Sequence, residues 1–214
     1  MDSYDSINTW DDDNVKLKKK LLRGIYGYGF ETPSPIQKKA IIPMINKRDI
    51  IAQAQSGTGK TGAYTISTLQ LVDSSKPEIQ ALILAPTREL AIQIKDVISN
   101  LSIQLNTVVK LLIGGSPVRQ DVSEMKKNTP HILVGTPGRV FDILRNNYID
   151  PRTIKLIVLD EADEILSDGF QEQIYDILQY LPSDAQIGLF SATMPQELEQ
   201  LTVKFLRDPV KILV

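Results

Sequence analysis

The sequence predicts an α/β fold of three layers, with a mostly parallel central sheet and helices on both faces. Three observations carry that expectation. Short, almost continuously apolar runs recur along the chain, the pattern of strands buried on both faces rather than strands that alternate between core and water. The stretches between most of these runs have the length and period of helices. Every glycine-rich or acidic motif falls directly after an apolar run, and ligands in open α/β sheets sit at the carboxyl ends of strands.

Taken in order, residues 1–20 read as a polar flank and the start of a first helix. Asp2, Asp5 and Asp11 to Asp13 make the flank acidic. Lys16, Lys18, Lys19 and Lys20 then alternate with Val15, Leu17, Leu21, Leu22 and Ile25 as in an amphipathic helix. The lysines suit a solvated face first and a nucleic-acid patch second. Strands are expected at Ile50 to Ala52, Ala81 to Leu84, Val108 to Ile113, Ile132 to Val134, Leu156 to Leu159, Ile187 to Phe190 and Val210 to Val214. Helices are expected over Glu89 to Leu101, Pro117 to Lys127 and Gln171 to Tyr180. Residues 21–208 form the main domain, and 209–214 its last strand and the start of a linker.

The chain has 214 residues, which suits one large domain or two small ones, and 42% of them are hydrophobic, enough for a sizeable core. With Lys plus Arg at 24 against Asp plus Glu at 26, the net charge is −2. Any nucleic-acid surface must therefore be a local patch, not a general basic coat. The absence of cysteine excludes a disulfide framework and thiolate metal sites. No apolar run reaches the length of a membrane span. A cytoplasmic protein is expected, with the nucleus as a second possibility.

The stretch Ala54-Gln55-Ser56-Gly57-Thr58-Gly59-Lys60-Thr61 follows one strand and opens a helix, the setting a phosphate-binding loop requires. Gly57 and Gly59 let the backbone amides turn inward. Lys60 can reach β- and γ-phosphates, and the Thr61 hydroxyl can ligate Mg²⁺. At the end of the strand Leu156 to Leu159 stands Asp160-Glu161-Ala162-Asp163. A carboxylate there is costly unless it meets a cation. Asp160 is accordingly expected to face Mg²⁺, and Glu161 to orient or deprotonate the attacking water. Helix capping is the competing reading, a stronger one for Asp163 than for Asp160. The pair of motifs implies nucleoside triphosphate chemistry, with Lys60, Asp160 and Glu161 as its catalytic groups.

The letters of the acidic motif, and the order of the others, resemble the DEAD-box RNA helicases over nearly the whole chain. Phe30-Glu31-Thr32-Pro33-Ser34-Pro35-Ile36-Gln37 resembles that family's adenine-reading motif. Pro86-Thr87-Arg88, Gly114-Gly115 and Thr136-Pro137-Gly138-Arg139 resemble its RNA-facing motifs, and Ser191-Ala192-Thr193 its coupling motif. The resemblance implies a RecA-like domain, ATP with Mg²⁺, and RNA bound without regard to sequence. Gln37 would read adenine through its planar amide and Phe30 would stack on the base. The glycines, the Thr87 and Thr136 hydroxyls, and Arg88 and Arg139 would meet RNA phosphates. Asp163, Ser191 and Thr193 would couple the two sites.

The wording of several stretches is that of the family's translation-initiation members, so initiation scaffold proteins are implied as partners. An ATP-gated RNA clamp of the exon-junction type is the alternative. Thr32 and Asp168 depart from the residues usual in the initiation members, which touches partner contacts rather than ATP chemistry. Members have two tandem RecA-like domains, and this chain resembles the first, so a second domain of the same protein is an implied partner. Two residues stay open on sequence alone. Trp10 suits either the core or a base contact, and Gln37 could bond only its own helical turn. His131, the one histidine, reads as structural.

Overall fold

The computed structural model describes residues 6–214, so Asp2 and Asp5 of the expected flank lie outside the described residues. Seven strands form one sheet, all neighbours parallel. They are β1 (Ile50–Gln53), β2 (Ala81–Leu84), β3 (Val109–Leu112), β4 (Ile132–Gly135), β5 (Leu156–Leu159), β6 (Gln186–Ser191) and β7 (Val210–Leu213). The order across the sheet is β3-β4-β2-β5-β6-β1-β7. Every expected strand is present.

Nine α-helices flank the sheet among the described residues. On one face lie α1 (Lys19–Tyr28), α2 (Pro35–Ile45), α3 (Lys60–Leu71) and α4 (Arg88–Leu101). On the other lie α5 (Val118–Lys127), α6 (Pro137–Arg145), α7 (Ala162–Ser167), α8 (Gln171–Tyr180) and α9 (Gln196–Phe205). Strand residues alternate between the two resulting cores. Ile83, Val134 and Val158 join the first, whereas Leu82, Leu133 and Ile157 join the second. Period-2 geometry sends successive side chains to opposite faces. Because both faces are covered, the alternation does not show as polar against apolar.

The first segment differs from its expectation. Ile7, Trp10 and Val15 are buried in the first core, so the flank is anchored rather than purely polar. The helix begins only at Lys19, because Lys16 takes a left-handed conformation with φ 43°. Lys18 is no solvated-face residue: its ammonium donates to Leu69 O at 3.0 Å and Val72 O at 2.6 Å. These carbonyls end α3, where a cation is favoured. His131 is buried, and its Nδ1 accepts the Val108 N–H at 2.9 Å, a structural role.

The amino ends of the strands are stitched by Asp49. Its carboxylate accepts the N–H groups of Ile187 at 2.8 Å and Arg207 at 2.7 Å. The carboxyl ends carry every motif except Phe30 to Gln37, which lies between α1 and α2, and the strand order sorts them. Loops after β1, β5 and β6 hold the phosphate-loop, acidic and Ser-Ala-Thr motifs. Loops after β2, β3 and β4 hold the motifs expected to face RNA.

Candidate functional site

β1 delivers the chain into a loop at residues 54–59, and α3 begins at Lys60. Gly57 (φ 79°) and Gly59 (φ 97°) are left-handed, a conformation that costs little only without a Cβ. At Gly59 space also forbids a side chain, since a Cβ would lie 2.5 Å from Ser34 Oγ. Thr58 Oγ1 donates to Gln55 O at 2.7 Å, and the Ala54 N–H donates to Ser191 O at 3.0 Å. The root of the loop is thus pinned to the end of β6, while Gln55, Ser56 and Gly57 face outward.

Lys60 is 5% exposed. Its Nζ lies 3.1 and 3.2 Å from the two carboxylate oxygens of Glu161. Asp160 is 2% exposed. Its Oδ1 accepts the Glu161 N–H at 3.0 Å and its Oδ2 accepts the Tyr64 hydroxyl at 2.7 Å. Burial pushes the Asp160 carboxyl up to about 6; the Tyr64 bond opposes that rise, the Glu161 charge adds to it, and Lys60 partly offsets it. Glu161 sits at the start of α7 with φ 48° and ψ 52°, a left-handed conformation costing roughly 1–2 kcal/mol for a residue with a Cβ. The strained bend aims two consecutive carboxylates differently, Asp160 at α3 and Glu161 at Lys60.

Lys60 is therefore held by Glu161 rather than turned to the loop amides, and a phosphate at the loop would have to take the ammonium over. Asp160 and Thr61 fit a magnesium ion in kind. They offer a buried carboxylate and a hydroxyl, the hard oxygen donors that ion takes. Among the described residues no group of three or more His, Cys, Asp or Glu side chains could hold a metal. That suits an ion bound largely through phosphates and water.

Gln37 is 4% exposed. Its Oε1 accepts the Ser34 N–H at 2.8 Å and its Nε2 donates to Gly59 O at 3.1 Å. The bond to its own helical turn is therefore present. It coexists with a bond to the phosphate loop, and the planar amide retains one lone pair and one N–H. Trp10 is resolved to the core: it is 1% exposed, its Nε1 donates to Phe30 O at 3.0 Å, and its ring stacks on Phe30 with centroids 6.3 Å apart. Phe30 itself is partly buried and lies against the Gly62 position of α3.

Asp163 joins the acidic motif to the Ser-Ala-Thr motif. Its Oδ2 accepts the Thr193 N–H at 3.0 Å and the Thr193 hydroxyl at 2.6 Å. Its own N–H donates to Ser191 Oγ at 3.2 Å. Burial would raise the Asp163 carboxyl, but the bonds from Thr193 and Ser191 outweigh it and hold the group below its ordinary range. The capping role also exists in part, since Asp163 Oδ1 accepts the Glu164 N–H at 3.1 Å.

The remaining motifs meet in an open depression of about 790 Å³ lined by Pro86, Thr87, Arg88, Gly114, Thr136, Gly138 and Arg139. Gly114 and Gly138 have nothing within 4 Å of a would-be Cβ, so their backbones are open to a ligand. Gly115 has φ 104°, and the Arg88 guanidinium lies over it. Pro137 is buried at the first turn of α6, and Thr87 caps α4 by accepting the Leu90 N–H at 3.2 Å.

Arg139 has partners within the domain. Its guanidinium pairs with the buried Asp121 and donates to Ser116 O at 2.7 Å. Asp121 also takes Lys110 at 2.9 Å. The Arg139 charge is thus neutralised internally, and the residue ties the loop after β3 to α6. Phe141, Arg145, Phe170 and Gln173 also line the depression and did not emerge from sequence reasoning. Phe141 and Arg145 were detectable in principle, lying on one face of α6 at helical spacing after Gly138. Arg145 stacks over the Phe141 ring at 5.7 Å. Gln173 Oε1 is buried there without a hydrogen-bond partner.

Residues 34–201 match the DEAD/DEAH box helicase family, and the chain belongs to it. Within that family it is similar to the ATP-dependent RNA helicase eIF4A of Lodderomyces elongisporus, at 51% identity over 99% of this chain and 53% of that protein. It is also similar to that of Scheffersomyces stipitis, at 50% identity with the same coverage. The chain spans about half the length of these curated relatives. Among solved structures, it superposes with a TM-score of 0.92 on a DEAD box protein from the hyperthermophile Methanococcus jannaschii, 36% identical over 97% of this chain and 56% of that one. Saccharomyces cerevisiae Dbp5 bound to Gle1 and IP6 superposes at 0.88, with 33% identity over 99% of this chain and 53% of that one. Among the described residues, no helix is long and apolar enough to cross a membrane.

Proposed function

We propose that this chain is the ATP-binding RecA-like half of an ATP-dependent RNA helicase of the translation-initiation type, acting on RNA in the cytoplasm. The observation that carries the reading is the Asp163–Thr193–Ser191 bridge. It lies at β5 and β6, between the loop after β1, which this reading gives to the nucleotide, and the loops after β2, β3 and β4, which it gives to RNA. A rearrangement of Asp160 and Glu161 on nucleotide binding is felt through Asp163 by the loop after β6.

In this reading the amides of loop 54–59 and the N-terminus of α3 bind the phosphates, and Lys60 passes from Glu161 to the β- and γ-phosphates. Glu161, freed from that pair, orients the attacking water and takes its proton. Magnesium, held by Thr61 and Asp160, would supply charge neutralisation of the phosphates. Gln37 and Phe30 recognise adenine. The depression receives RNA phosphates through Arg88, the open Gly114 and Gly138 backbones and the N-terminus of α6, with no base edge read. Arg139 positions that surface rather than binding through a free charge.

Isothermal titration of the 214-residue chain with Mg·ATP and Mg·GTP tests this reading. ATP should bind more tightly, and Lys60→Ala should weaken ATP binding at least tenfold with unchanged circular dichroism. Equal affinities for ATP and GTP would remove the adenine role from Gln37. Unaltered ATP binding by Lys60→Ala would remove the phosphate role of the loop.

A further inference from the structure

Tyr64 lies in the second turn of α3, one helical turn after Lys60 and Thr61, and is fully buried. Its ring packs edge-on against Phe190 of β6 with centroids 5.1 Å apart. That packing needs only a phenyl ring, so it does not account for the hydroxyl. The hydroxyl donates to Asp160 Oδ2 at 2.7 Å. Its single proton is thus spent on a carboxylate assigned to the metal. Asp160, with the Glu161 N–H on Oδ1 and Tyr64 on Oδ2, is held at both oxygens, and each keeps a further lone pair.

We propose that the Tyr64 hydroxyl is a positioning group for the magnesium ion of this site, holding Asp160 in the orientation that receives the metal. The proposal rests on the reading of Asp160 as a metal-facing residue. Partners behind metal ligands fix ligand orientation, and their loss typically costs about 10–100-fold in metal affinity. Tyr64→Phe deletes only the hydroxyl and keeps the ring against Phe190.

The test is a magnesium titration of fluorescent ADP binding to the 214-residue chain, in wild type, Tyr64→Phe, Asp160→Asn and the double variant. In Tyr64→Phe the magnesium concentration at half-effect should rise about tenfold, while affinity in excess chelator stays at the wild-type value. In the Asp160→Asn background, Tyr64→Phe should add no further shift, because the hydroxyl acts through Asp160. An unshifted midpoint in Tyr64→Phe, with the magnesium effect lost in Asp160→Asn, overturns the inference and leaves the metal reading standing. Equal loss of affinity with and without magnesium also overturns it, by showing a merely structural role. Wild-type binding indifferent to magnesium overturns the metal reading and the inference together. An independent readout uses wild type alone, labelled with ¹³C-tyrosine. Adding magnesium to the ADP complex should move the Tyr64 Cζ resonance, and a stationary signal counts against the proposal.

Discussion

Asp160 and Glu161 are neighbours in sequence with opposite environments, and that contrast sets their division of labour. Asp160 is almost fully buried, whereas Glu161 is partly exposed and paired with Lys60. The Asp160 carboxyl, raised from 3.8 to about 6 chiefly by burial, links stability to pH. With the folded value above the unfolded one, its contribution is fully present below about pH 4 and is lost as pH rises through about 6. At neutral pH the charged side chain therefore costs the free domain stability. A shift of this size corresponds to a ceiling on the order of 3 kcal/mol. Asn recovers less, because its amide places a donor where the carboxylate accepted two bonds. Asp160→Asn should melt several degrees above wild type at pH 7.5 without nucleotide, and the gap should narrow as pH falls through about 6 and close only below about pH 4. Thermal melts across that range check it, and a gap that widens toward acid contradicts the assignment of the burial penalty. A site that stabilises when disabled is a mark of function rather than of architecture.

At the scale of elements, the strands were legible because a parallel strand covered on both faces is a short apolar run, although the apolar run Ala40 to Ile45 belongs to α2. The two edges are the exceptions. β7 alternates buried and exposed, and β3 is mostly half-buried, yet each keeps enough Val, Ile or Leu to read as a strand. The start of α1 was not legible, because Lys16 and Lys18 continue a helical pattern that the left-handed turn at Lys16 interrupts. Lys18 is spent on the end of α3, a contact across 51 residues or more of sequence, and Arg139 on Asp121 for the same kind of reason. Periodicity cannot show which charge will find an internal partner. Tyr64 was missed because a tyrosine just after the loop reads as core, and only the fold brings Asp160 to it.

Gly24 shows the same limit between two helices. A Cβ there would lie 2.0 Å from the Leu101 carbonyl oxygen at the end of α4, so α1 and α4 touch backbone to backbone. Gly24→Ala gains up to about 1 kcal/mol of helix propensity. It forces a shift that costs about 1–3 kcal/mol or more when the obstacle is backbone. The clash should win, lowering the melting temperature by about 3–8 °C while leaving nucleotide affinity unchanged well below the transition. A melting temperature at or above wild type would show that α1 slides freely on α4.

For the whole molecule, charge decides how RNA would be held. The chain carries a net charge of −2, and its cations do not gather into a basic face at the depression. Arg139 is neutralised by Asp121, Arg145 lies 3.3 Å from Asp142, and Glu89 shares the lining with Arg88. What remains for phosphates is Arg88, exposed backbone amides and the N-termini of α4 and α6, which contribute partial charges. Two or three effective phosphate contacts give a slope of log affinity against log salt of about −1.4 to −2.1 for a single strand. The 214-residue chain should therefore bind single-stranded RNA weakly, with that shallow slope and little preference among sequences. It should also release phosphate from ATP slowly and without stimulation by RNA. Lys60 is the cation that the structure sets at the phosphate loop, while Arg88, Arg139 and Arg145 lie in the depression. Related phosphoryl transfers gain on the order of 10³–10⁵ from an arginine brought to the γ-phosphate. A chimera that appends the remaining half of an eIF4A relative should gain both a steeper salt slope and RNA-stimulated phosphate release. Fluorescence anisotropy at several salt concentrations and a phosphate-release assay measure the two. A slope steeper than about −4 for the 214-residue chain would reveal a cationic surface outside the depression, and robust RNA-stimulated release by it would place a catalytic arginine within these residues.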